Sequence, residues 1–293
     1  MRQSIALAAA LVALTACSGD KAAKAAADST AAAAVAAAAA VPTTPPVITI
    51  TAKDFAYESP DTATGGMVTI KLVNQGPSMH HVQLIHLTDG KTAADLEAGL
   101  KASKPGSPPP PWAVPVAGPN SPVPGGESSI TEQLEVGNYA VICFIPDAAG
   151  VPHFMKGMIR PLTVVAAKTA SAPAPTADVN VKLTDFAFEI TPALTAGKHI
   201  IKIENAAEQP HEMLIAMLAP GKKPSDLVAW VGKQVGPPPG KPLGGISGMA
   251  KGGVVYLSVD LEPGEYGVFC FLDDVKDGKM HVEHGMLKQI SVK

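Results

Sequence analysis

Two stretches of the chain gather residues that bind soft metals. In the later one, Gly264-Glu265-Tyr266-Gly267-Val268-Phe269-Cys270 is followed by His281 and then Gly285-Met286. In the earlier one, Gly137-Asn138-Tyr139-Ala140-Val141-Ile142-Cys143 leads to His153 and Gly157-Met158, and both copies step five residues from His to Met. A thiolate, an imidazole and a thioether drawn from one loop suit copper, whereas calcium and magnesium ask for oxygen. Of the three cysteines, Cys17 lies in an N-terminal targeting segment, which leaves one per copy. Alternation puts Tyr139, Val141 and Cys143 on one strand face and Tyr266, Val268 and Cys270 on the matching one, and that face should point inward.

The elements that must position these residues also occur twice. Ile50 to Glu58 corresponds to Val181 to Glu189, and Met67 to Asn74 corresponds to Lys198 to Asn205, both alternating and both ending on Asn. Six residues past each Asn stands a His, His80 or His211. Strands are expected at Val82 to Leu87 and Met213 to Leu218, then short helices at Ala93 to Ala102 and Ser225 to Val235. Pro/Gly-rich excursions follow, expected to cover the surface, and then strands Ser129 to Val136 and Val254 to Leu261. Many short alternating strands between turns predict an all-β fold, with two tandem Greek-key sandwich or barrel domains, each carrying a short helical insertion. The expected boundaries are 46–167 and 177–293, joined by a linker at 168–176.

Asn-x5-His, Gly-x-Tyr-x3-Cys and His-x4-Met together resemble the cupredoxins, the blue-copper proteins such as plastocyanin, over nearly all of both domains. The resemblance implies one copper per domain, held by His80, Cys143, His153 and an axial Met158 in the first and by His211, Cys270, His281 and Met286 in the second. Nine residues separate Cys143 from His153 and ten separate Cys270 from His281, more than the family usually has. The turn formers Asp147 to Gly150 and Lys276 to Gly278 allow a hairpin-like excursion that returns each His. His86 fits a structural role, His81 points away from His80, and His284 is a spare ligand or part of the rim. The first copy has Lys156 where the second has His284, so an ammonium near the first site is expected to weaken its hold on a cation. The same cysteines also fit inert core thiols, or, less well, a Cys143–Cys270 disulfide.

The leading function is therefore extracytoplasmic copper binding, for single-electron transfer or copper holding, with a redox partner protein. The alternative is a metal-free cupredoxin-like binding or structural module. An enzyme is not expected: copper oxidases of this fold carry a His beside the Cys, but the neighbours here are Ile142, Phe144, Phe269 and Phe271. No nucleophile elbow is present. The net charge of −3 says little about partners, and no basic run or aromatic-basic patch suggests nucleic acid. Residues 1–16 form an export signal, with an apolar run from Ile5 to Leu14 that is too short to span a bilayer. Leu14-Thr15-Ala16-Cys17 resembles the bacterial lipobox, implying acylation of Cys17 and a membrane-anchored lipoprotein. Ser18 matches sorting to the periplasmic face of the outer membrane in a Gram-negative host. The Ala/Pro-rich segment 17–45 then serves as a tether.

Overall fold

The alternating stretches become strands that pack as paired sheets. The computed structural model describes residues 42–103, 109–233 and 235–293, so the signal, Cys17 and most of the tether lie outside the described residues. The first repeat contains β1 (Val47–Lys53), β2 (Ala56–Glu58), β3 (Thr62–Thr64), β4 (Gly66–Asn74), β5 (Gln83–Leu87), β6 (Ala113–Val116), β7 (Glu127–Leu134), β8 (Gly137–Ile142) and β9 (Ile159–Val165). The second contains β10 (Val179–Thr184), β11 (Ala187–Thr191), β12 (Gly197–Asn205), β13 (His211–Leu218), β14 (Gly240–Met249), β15 (Val254–Leu261), β16 (Gly264–Phe269) and β17 (Leu287–Val292). Strands β3-β9-β8-β5-β6 and β14-β13-β16-β17 form one sheet of each repeat. The opposing sheets are fused, running β11-β10-β12-β15-β7-β4-β1-β2 through both repeats.

The fusion is an antiparallel pairing of β7 with β15, from Glu132 opposite Val255 to Ser129 opposite Ser258. Buried residues of both repeats, among them Ile50, Leu72, Ile130, Leu257 and Val268, belong to one continuous apolar core. On β4 the alternate residues Val68, Ile70, Leu72 and Asn74 face that core, as period-two patterning requires. Strand β8 is buried on both faces. Tyr139, Val141 and Cys143 face the inter-sheet core, while Ala140 and Ile142 pack beneath α1 (Ala93–Ala102) with Leu96. Thr92 and Asp95 close a reciprocal capping box at the start of α1, which fixes where the helix begins. In the second repeat α2 (Pro224–Val231) opens with Pro224 in its first turn and packs Leu227 on Leu214, Ala216 and Phe269.

Strand β14 departs from expectation, because its Pro/Gly composition argues against a strand. It forms because the backbones must approach closely there: a Cβ on Gly245 would lie 1.9 Å from Met213 O. One on Gly244, at φ +115°, would lie 2.2 Å from Ser128 Oγ of the first repeat. Around β14 the repeats are laced by hydrogen bonds from Ser247 Oγ to Val82 O (2.9 Å) and from Gln83 Nε2 to Gly248 O (2.8 Å).

Candidate metal centres

The loop that delivers the first His of each site is shaped by the Asn ending its strand. Asn74 Nδ2 donates to Ser78 O at 2.9 Å while its Oδ1 accepts from Gly76 N at 3.1 Å. Asn205 does the same with Gln209 O (2.9 Å) and Ala207 N (3.0 Å). The six-residue step is thus the length of a loop folded around a buried amide, and its far end places His80 or His211 over the core. The second His arrives on a hairpin-like excursion from the Cys strand. His153 N donates to Ile145 O at 2.9 Å and His281 N to Leu272 O at 2.8 Å, closing each excursion.

The loop after that His turns the chain back to the Cys strand. Met158 N donates to His153 O at 3.1 Å, and Cys143 N donates to Met158 O at 3.1 Å. The second repeat matches this at 2.9 Å and 3.2 Å with Met286, His281 and Cys270. Both methionines are fully buried in the core that holds the cysteines. Gly157 and Gly285, at φ +103° and +95°, make the left-handed turn just before each Met.

Ligand atoms of His80, Cys143 and His153 converge within 4.8 Å of one another, and so do those of His211, Cys270 and His281. His80 Nδ1 lies 3.1 Å from His153 Nδ1, and Cys143 Sγ lies 3.6 Å from His153 Nδ1. Cys270 Sγ lies 3.2 Å from His281 Nδ1 and 3.8 Å from His211 Nδ1. Metal bonds of roughly 2.0–2.3 Å at trigonal angles put such atoms about 3.5–3.7 Å apart, so these spacings fit one ion per triad. Both cysteines are free and buried, and no disulfide joins them.

Outside each triad stands a carboxylate that the sequence argument overlooked. Asp54 Oδ1 is 2.6 Å from His80 Nε2, and Asp185 Oδ1 is 3.0 Å from His211 Nε2. An ionised Asp holds the proton on Nε2 and leaves Nδ1 as a bare lone pair facing the triad. The neighbouring Phe55 and Phe186 set their rings edge-on to His153 (4.9 Å) and His281 (5.4 Å). The signal was present, since Asp-Phe-Ala occurs at matching places in both copies.

Burial sets the charge states. It lowers His153 to about 4, with His80 adding to the effect, and His281 to about 4, with His211 adding, so both imidazoles stay neutral at physiological pH. Burial pushes the Cys143 thiol up to about 11, against the amides of His81 and Ile145 and the Tyr57 hydroxyl. Cys270 is raised well above its ordinary value by burial and by the Glu212 carboxylate, against the amides of Glu212 and Leu272. Each thiol therefore keeps its proton until a cation displaces it.

The remaining candidates fall outside the triads. His81 is buried and accepts the Phe144 amide on Nε2 at 3.0 Å. His86 stacks on Tyr139 with centroids 4.6 Å apart. His284 belongs to the rim, 3.2 Å from Asp277 Oδ1 and 4.7 Å from the Phe186 ring. Lys156 pairs with Asp147 and lies over the Phe55 ring, so its charge near the first site is compensated rather than free.

No family model matches the sequence, and no curated protein matches it. Among solved structures, dithionite-reduced auracyanin from Roseiflexus castenholzii is 23% identical, covering 43% of this chain and 98% of its own, with TM-score 0.29. A blue copper oxidase from Nitrosomonas europaea is 16% identical, covering 85% and 86%, with TM-score 0.27. A copper-containing nitrite reductase from Thermus scotoductus is 10% identical, covering 84% and 61%, with TM-score 0.23. In its own strand order and paired His-Cys-His triads the chain is cupredoxin-like. The expectation of a non-enzyme is corrected by these comparisons, since an oxidase and a reductase are among the structures that resemble this chain.

Proposed function

We propose that the protein is an exported, lipid-tethered copper protein that carries single electrons or holds copper through two His-Cys-His sites, each with a Met close behind. The observation that carries this is the duplicated convergence of two imidazole Nδ1 atoms and one thiol in a fully buried pocket, with a carboxylate fixing the tautomer of one imidazole. Copper, when bound, would supply a one-electron couple there. The chain's own groups do the rest. Asp54 and Asp185 hold protons on the outer nitrogens of His80 and His211, and the Cys143 and Cys270 protons leave as the cation enters. The amides of His81 and Ile145, and of Glu212 and Leu272, then donate to the sulfurs.

Burial keeps water from the sulfur, and the backbone bonds between the Cys, His and Met segments resist rearrangement on a change of charge. His153 also lines a cleft of ≈ 260 Å³ with Met79, Ile145, Trp230 and Pro242, which gives a redox partner a route to the edge of the first site. The test is copper content and the intense thiolate-to-copper absorption of the full chain, exported in its native compartment. Two equivalents with the band support the proposal. Protein that takes up no copper in that compartment, and none on titration, overturns it.

A further inference from the structure

The two sites differ in what supports the amide after each Cys. In the first repeat Phe144 N donates to His81 Nε2 at 3.0 Å, and His81 is tied within its own repeat, its carbonyl accepting the Tyr57 hydroxyl. In the second, Phe271 N donates to Glu212 Oε1 at 2.8 Å, and Glu212 N reaches Cys270 Sγ at 3.4 Å. The other carboxyl oxygen, Glu212 Oε2, takes its hydrogen bond from Asn120 Nδ2 of the first repeat at 3.1 Å. Asn120 and Glu212 are both buried, so water does not substitute freely for the missing partner if the contact is broken.

Asn120 is itself fixed on several sides. Its amide donates to Gly245 O at 3.0 Å, its Nδ2 also donates to Ile246 O at 3.1 Å, and its Oδ1 accepts from Ser121 N at 2.7 Å. The preceding residue, Pro119, accepts Val82 N at 2.9 Å, two positions beyond His80. One short segment therefore joins the chain flanking His80 to the residue that follows His211.

We infer that Asn120 is a positioning residue for the second metal site, which is complete only when the first repeat is docked against it. By orienting the Glu212 carboxylate, Asn120 holds the Phe271 amide beside Cys270 and steadies the Glu212 amide that points at the sulfur. In the first repeat the Phe144 amide is held instead by His81 of the same repeat. The inference rests on the copper reading of the triads only for its spectroscopic arm.

The test uses the full chain. Asn120→Leu keeps the number and branching of side-chain heavy atoms and removes the donor, and the smaller Asn120→Ser serves if the Leu variant does not accumulate. In a Cys143→Ser background, where only the second site has its thiol, the substitution should shift the thiolate-to-copper band and weaken copper binding about tenfold, the scale of losing an outer-shell contact. In a Cys270→Ser background the first-site band should not move. Without metal, amide exchange at Phe271 should accelerate at least tenfold in Asn120→Leu and stay unchanged at Phe144. Unchanged Phe271 exchange, or an equal effect on both sites, would overturn the inference. A parent that binds no copper would overturn the functional proposal alone, because the exchange measurement judges Asn120 without it.

Discussion

Asp54→Ala should weaken copper binding at the first site by about a hundredfold, while Asp185→Ala should cost the second only about tenfold. A hydrogen bond to an ionised partner contributes about 1.5–3 kcal/mol, and at 1.4 kcal/mol per factor of ten this matches the roughly 10- to 100-fold typical of outer-shell partners. Geometry ranks the two. Asp54 meets His80 at 2.6 Å with 26% of its side chain exposed, and Ser78 Oγ donates to its other oxygen at 3.0 Å. Asp185 meets His211 at 3.0 Å and is 41% exposed, with Gln209 Nε2 at 3.4 Å, so solvent competes more there. The assay is competitive copper titration, with Asp54→Ala in a Cys270→Ser background and Asp185→Ala in a Cys143→Ser background, and with urea melts to confirm that each variant folds. Asp54→Asn should recover part of the loss, since its carbonyl still accepts from Nε2 without the charge. Unchanged affinity in both Ala variants would refute the role given to these carboxylates, and a larger loss at Asp185 would refute the ranking by distance and exposure.

Gly244→Val should destabilise the chain by about 3 kcal/mol in urea unfolding, combining a strained φ with a clash against Ser128 across the seam. His199 is pulled down by burial but raised overall by Asp178 at 2.5 Å and by the Thr195 carbonyl. Its stabilising contribution is therefore complete below the unfolded pKa of about 6.5 and lost as pH rises through the higher folded value. His199→Gln should accordingly be less stable than the parent at pH 5.5 and match it at pH 9 in urea melts. Cys17→Ser should move the protein from membrane to soluble fractions, and unchanged membrane association would count against the lipid anchor.

Much of the scaffold was legible because strand alternation and Gly/Pro punctuation act locally, and the repeat printed the same message twice. The Asn loop shows how a spacing encodes geometry: six residues is what it takes to fold around the Asn74 or Asn205 amide and arrive at a His. The carboxylates were less visible, since Asp54 and Asp185 lie 26 residues ahead of their His partners and no local pattern links them. Only the identical offset in both copies could have exposed them. His81 and Glu212 do one job with different chemistry, so the repeat hides rather than reveals it. Asn120 meets Glu212 across 92 residues, and β14 forms in a sequence whose local propensity opposes a strand. Both depend on the docking of two halves, which no single stretch records.

The pairing of β7 with β15 also bears on solubility. Each is an eight-residue strand that, in a repeat standing alone, would present a full row of free amides and carbonyls to any passing strand. Duplication turns each of these sticky margins into the other's cover. The margins left on the fused sheet are β2 and β11, of three and five residues, and they carry Glu58 and Glu189. Such short, charged borders offer little purchase for growth into a larger sheet. Each repeat thus covers an edge of the other, at Glu132 to Ser129 against Val255 to Ser258.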